Sequence, residues 1–177
     1  MKWIKLIVLT IGFWSFFGMQ EAKAQIDTTF WFAAPWVTPD HADNVPMAFL
    51  FSTFGNATTI RLRQPASTYD TTFTVAANSL FSKDMSHILN ELETKPANTV
   101  LTTGFEITSD FPIIVVYDFL SSANNPETYS LKGQNGMGYE FVCPFQTKWF
   151  NQNLSGIDPK QQINITATED NLSLIHI

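Results

Sequence analysis

The loop Asp40-His41-Ala42-Asp43-Asn44 places two carboxylates, an amide oxygen and an imidazole side by side. Asp40, His41 and Asp43 form a candidate cation site, because hard cations take several converging oxygens and transition metals add imidazole to carboxylates. The loop lacks the glycine and distal glutamate of calcium loops, so a solvated acidic loop explains it better and no metal is expected. His87 stands one helical turn before Glu91, the spacing of a surface ion pair rather than of a catalytic dyad. Glu91 and Glu93 are expected on a polar face outside the core, where glycosidase geometry cannot be read. No Gly-x-Ser-x-Gly elbow accompanies any histidine. Gly133-Gln-Asn-Gly136-Met-Gly138 lacks the Lys-Ser/Thr of a phosphate loop and reads as a turn. Cys143, between Val142 and Pro144, reads as a small buried apolar residue. Neither an active site nor a cofactor is expected, and the chain is not read as an enzyme.

Binding is the more natural chemistry. Trp31, Trp36, Trp149 and Phe150 offer aromatic faces to sugars or to protein partners. Trp31 stands out, because strand alternation puts it opposite Phe30 and Phe32, away from the face those two rings would fill. Asp27-Thr-Thr29 and Asp70-Thr-Thr72 also resemble a short bacterial O-glycosylation motif, with Thr28 and Thr71 as acceptors.

The elements that must position these residues read as short strands separated by turn chemistry. Thr28–Ala34 alternates large aromatics with smaller residues, and Met47–Ser52 is continuously apolar, as a buried strand would be. Thr58–Arg63 sets Ile60 and Leu62 on one side, and Asp70–Ala76 sets Phe73 and Val75 opposite Thr72 and Thr74. Phe105–Ser109 and Pro112–Leu120 are expected as two strands around an Asp110-Phe111 corner. Gly138–Cys143 and Gln162–Thr168 complete the expected set. Only Met85–Leu92 has helical spacing, with Ile88, Leu89 and Leu92 on one side, and it is expected to be a short connector. Strands recurring with no helix between them predict an all-β fold, an antiparallel β-sandwich-like domain. Phe30-Trp-Phe-Ala-Ala-Pro35 and Tyr139-Glu-Phe-Val-Cys-Pro144 also align as a weak internal repeat.

The two ends read differently. Lys2 and Lys5 precede an apolar run, Leu6–Met19, and Ala22-Lys23-Ala24 supplies the small residues a signal peptidase needs. The run is shorter than the ~20 residues of a membrane-spanning helix. Residues 1–24 are therefore expected to be a signal peptide cleaved between Ala24 and Gln25, with the protein secreted or at the cell surface and no membrane attachment afterwards. The last six residues, 172–177, match the translated end of a transposon-based sequencing adapter and are expected to be non-native. Residues 25–171 are then one β domain, cut before its last strands.

Composition agrees. Of 177 residues, 45% are hydrophobic and 14% aromatic, which excludes a disordered chain. A single cysteine excludes a disulfide framework and a multi-cysteine zinc site. The net charge of −6 becomes −8 once the signal segment, with its net charge of +2, is removed. No basic stripe is left to bind nucleic acid.

Four landmarks stand in order: Asp27-Thr-Thr-Phe-Trp-Phe-Ala33, Gly104-Phe-Glu-Ile-Thr-Ser-Asp-Phe-Pro-Ile-Ile-Val-Val-Tyr117, Gly136-Met-Gly-Tyr-Glu-Phe141 and Ile165-Thr-Ala-Thr-Glu-Asp-Asn171. Together they resemble the bacterial branch of the IgG Fc-binding protein N-terminal domain family. The resemblance covers residues 27–171, with Phe105 and Met137-Gly-Tyr-Glu departing from the usual pattern. It implies a module of a large secreted or surface protein, often from the Bacteroidetes group, with further domains linked to it and no known catalytic residues. Fc binding itself need not transfer. The expectation is an extracellular binding or adhesion module with an unidentified protein or glycan ligand. An architectural spacer ranks second and a carbohydrate-active enzyme third.

Overall fold

The computed structural model describes residues 25–36, 47–119, 127–142 and 162–169. The described part is an antiparallel, all-β structure organised around one long strand. The strands are β1 (Ile26–Phe32), β2 (Met47–Ser52), β3 (Thr58–Arg63), β4 (Asp70–Val75), β5 (Leu80–Asp84), β6 (Phe105–Phe119) and β7 (Glu127–Ser130). They form one seven-stranded sheet in which β6 touches β1, β2, β3 and β7.

The central strand corrects one expectation. Phe105–Ser109 and Pro112–Leu120 are not two strands but the halves of β6, which runs unbroken for 15 residues. The expected corner survives as an irregularity within it. On β1, Asp27 pairs with Ile113 while Thr29 pairs with Thr108, so the stretch Ser109–Pro112 bows out opposite Thr28. Pro112 has no N–H to give to a ladder, and Asp110, Phe111 and Pro112 are exposed, as suits a bulge. Phe105 and Ile107 before the bulge, and Ile113, Val115, Tyr117 and Phe119 after it, keep the same parity and all point inward.

That bend makes two layers from one sheet. On one edge of β6, β3 pairs with the first half and β2 with the second. β3 then carries β4, and β2 carries β5. On the opposite edge lie β1 and β7. Folded at the bulge, the two arms face one another across a core of aromatic rings. Phe51 of β2 meets Phe73 of β4 at 5.2 Å, and Phe73 meets Phe81 of β5 at 5.1 Å. Phe49 touches the rings of Phe32, Phe51, Phe105 and Tyr117. Each large ring removes roughly 150–250 Å² from water, so this cluster is a large source of hydrophobic stabilisation.

The buried side chains of Thr53 and Gln64 are bonded, whereas the buried Thr103 hydroxyl has no partner among the described residues. Thr53 is buried at the β2–β3 crossing, its hydroxyl donating to the Ala76 carbonyl at 2.5 Å and accepting from the Ser79 N–H at 3.1 Å. Buried Gln64 donates its side-chain amide to the carbonyls of Glu91 and Thr103, at 2.6 and 3.1 Å. It thereby ties the β3–β4 turn to the helical connector and to the entry of β6.

Several expected boundaries move. β1 begins earlier and ends earlier than Thr28–Ala34, because Ile26 and Asp27 find partners on β6 while Ala34 leaves to bridge Glu93. β5 and β7 are strands that the sequence did not announce. Ser82, Lys83 and Asp84 of β5, and Glu127 and Thr128 of β7, break any apolar run, and ladders with β2 and β6 hold both. Gly138–Cys143 and Gln162–Thr168 form no strand among the described residues. Tyr139, Phe141 and Val142 are 100%, 61% and 88% exposed, so their alternation is not matched by burial. The weak repeat is therefore not structural, since Phe30–Phe32 lies in β1 and Tyr139–Val142 is irregular. Cys143 lies outside the described residues.

The connector is present as a 3-10 turn, Ser86–Ile88, running into one helical turn, Leu89–Leu92. Glu91 is exposed as expected, but Glu93 is not outside the core. Its side chain is fully buried and accepts from Lys95 Nζ at 2.7 Å. The helix ends at Leu92, and the parallel bridge to Ala34 turns the next residue inward.

Candidate functional site

The first layer, β1-β6-β3-β4, has an outer face built by strand alternation. Register sets its side chains in cross-strand rows. One row is Trp31, Glu106, Arg63 and Asp70, and the next is Thr29, Thr108, Arg61 and Thr72. Thr59 and Thr74 begin a third. Inward neighbours Phe30, Ile107, Leu62 and Ile60 are fully buried, and these anchors fix the outer rows in place.

Ion pairs organise the charges on this face. Arg61 grips Asp70 with both ends of its guanidinium fork, Nε to Oδ1 at 2.9 Å and Nη2 to Oδ2 at 2.5 Å. Arg63 Nε donates to Glu106 Oε2. The hydrogen bonds and charge of Arg61 hold the Asp70 carboxyl below the usual carboxylate range, and Asp70 in turn raises the guanidinium. The exposed Arg61–Asp70 pair contributes little to stability. The consequence of both pairs here is geometric, since the paired side chains hold each other in fixed positions.

Beside Asp70 the face runs into a groove of about 370 Å³ whose walls include Gln64, Tyr69, Asp70 and Glu91. Asp70 and Glu91 thus share one concavity, a pairing that the sequence did not suggest. Asp70 is committed to Arg61 and held ionised, the opposite of the raised pKa that a glycosidic general acid needs.

Trp31 lies on the outer face, half-buried, directly across from Glu106. Trp36 lies beyond the end of β1 and is 41% exposed. Its backbone N–H and carbonyl are both engaged by the Gln162 side-chain amide, at 3.3 and 3.1 Å. The two tryptophans therefore belong to different settings, a sheet face and a loop. Thr94 donates to Asn164 Oδ1 at 2.8 Å, so residues 162–169, which form neither helix nor strand, follow the same flank, held through side chains. Trp149 and Phe150 lie outside the described residues.

Asp40, His41 and Asp43 also lie outside the described residues, as does Ala24, while Gln25 is exposed at the start of β1. Among the described residues no group of three or more His, Cys, Asp or Glu side chains is gathered to hold a metal ion. His87 and Glu91 are both exposed and form no ion pair; the break between 3-10 and α geometry removes the expected spacing. Hydrogen bonds from the Ser86 hydroxyl and backbone N–H hold the Asp84 carboxyl below the usual carboxylate range. Thr28 and Thr71 are half-buried within strands.

No helix among the described residues is long and apolar enough to cross a membrane. No family model, curated protein or solved structure matches the chain. The fold defines an all-β, antiparallel sandwich-like domain, and its outer face defines the candidate site.

Proposed function

We propose that the protein is a non-catalytic binding or adhesion module of a larger secreted or cell-surface protein. The observation that carries this reading is the outer face of β1-β6-β3-β4, where Trp31 stands in one row with Glu106, Arg63 and Asp70. An aromatic residue among fixed polar groups on a rigid sheet is suited to recognition. The fixed, ionised Asp70 in the adjoining groove supports binding over hydrolysis. Export is supported by the apolar run Leu6–Met19 and the Ala22-Lys23-Ala24 site, and a place among linked domains by the resemblance to the Fc-binding domain family.

The test is binding of the labelled full chain to arrayed glycans and extracellular proteins, antibody Fc included, alongside Trp31→Ala and Trp36→Ala. Loss of a bound signal on either substitution is the expected result. A chain that binds nothing on the array is a spacer, and the proposal then fails.

A further inference from the structure

Resting on the binding-module reading, we infer that the outer face of β1-β6-β3-β4 is a platform for a neutral polysaccharide chain. Three properties of the face point to this ligand class rather than to a polyanion or a protein.

The first is charge. The rows hold two arginines against one aspartate and one glutamate, and each arginine is paired within the face. A balanced, internally neutralised surface exerts no net pull on an anionic polymer, whose capture needs an excess of cations.

The second is the supply of hydrogen-bonding groups. A sugar hydroxyl both donates and accepts, so its complement is a surface offering both kinds of group without the cost of ordering them. Arg61 and Asp70, about half exposed at 47% and 44%, hold one another in plane. Their pairing engages Nε and Nη2 and leaves the other guanidinium N–H groups and carboxylate lone pairs for a ligand. Around them stand the hydroxyls of Thr29, Thr59, Thr72, Thr74 and Thr108. A protein hot spot wants instead a desolvated cluster of aromatic and aliphatic anchors, and this face offers one aromatic in a hydroxyl-rich field.

The third is shape. Trp31 lies at the β1 end, where its ring can take the C–H face of a sugar, and the groove at Asp70 lies at the β4 end. Three strand intervals separate them, roughly 14 Å at the usual spacing. That length suits a run of several sugar rings crossing the strands, rather than a single terminal sugar.

The experiment is affinity electrophoresis of the folded full chain through gels containing galactomannan, laminarin or hydroxyethylcellulose, with heparin and alginate as polyanions and immobilised antibody Fc as a protein probe. Retardation by at least one neutral polysaccharide is expected, and added salt should leave it unchanged. Trp31→Ala and Thr72→Arg should each weaken it about tenfold or more. Both variants change exposed or half-exposed positions, and their urea midpoints should stay close to the parent's. Retardation by polyanions alone, or retardation that neither variant alters, overturns the inference. Binding of Fc that depends on Trp31, with no neutral polysaccharide retained, removes the ligand class and leaves the binding module standing. Absence of any binding removes both.

Discussion

The rings of Phe49 and Phe105 meet edge to face, their centroids 5.5 Å apart. Phe49 belongs to β2 and Phe105 to the first half of β6, so their contact joins the two layers that the bend in β6 creates. Phe49→Ala removes the hub of four ring contacts. It should cost about 3–5 kcal/mol, read as a lowered urea midpoint. Phe49→Leu should cost clearly less, because it keeps most of the volume. Equal losses from the two would show that the layers do not depend on this ring.

Glu93 and Lys95 carry a second prediction. With the Glu93 side chain fully buried and the ammonium of Lys95 at 2.7 Å, Lys95→Met removes a close charged partner from a carboxylate in the interior. Losing one partner of such a pair costs about 3–5 kcal/mol. The double variant Glu93→Gln/Lys95→Met should recover part of that loss, since the charge itself is then gone. Chemical denaturation of the four proteins in the cycle gives the coupling directly.

Gly133 adopts φ +56°, and a Cβ there would lie 2.5 Å from both Cβ and Oδ2 of Asp27. Asp27 Oδ2 also accepts the Gln134 N–H at 2.8 Å, so the turn after β7 is locked against β1. Gly133→Ala combines left-handed strain with a steric clash and should destabilise by about 2 kcal/mol. A melting temperature unchanged from the parent's would contradict this packing.

Alkaline pH should unfold the protein cooperatively. Burial raises the hydroxyls of Tyr69, Tyr117 and Tyr129. The Glu93 charge adds to the shift at Tyr117, and the Glu127 hydrogen bond to that at Tyr129. The folded state holds these protons more tightly than the unfolded chain does. Their contribution is therefore complete below about pH 10, the ordinary tyrosine range, and is lost as pH rises toward the folded-state values. Ultraviolet titration should show three of the four tyrosines ionising late, together with loss of the far-ultraviolet β signal. Early, non-cooperative titration of Tyr69, Tyr117 and Tyr129 would contradict their burial.

Much of the sheet was legible in the sequence because alternation and burial coincide. Met47–Ser52 and Thr58–Arg63 are strands over the spans their patterns define, and Phe73 and Val75 face inward as expected. Where burial comes from elsewhere, the pattern failed. Leu80–Asp84 looks polar and is a strand because β2 lies beside it, while Tyr139–Val142 alternates and is not one because no strand among the described residues pairs with it. Glu93 shows the same limit: a carboxylate near the end of a helical turn looks solvated until the bridge to Ala34 carries it into the core.

The candidate site divides in the same way. Local sequence determined that Trp31 points away from Phe30, because successive strand residues must face opposite sides. It also determined the all-β class, through its β-branched and aromatic content and its turn spacing. Only tertiary structure decided what stands beside Trp31. The neighbours Glu106, Arg63 and Asp70 come from three other strands, and their alignment is set by ladder registers. The bulge at Ser109–Pro112 likewise decided that one sheet becomes two layers. Register and curvature are properties of paired strands, so no single segment encodes them.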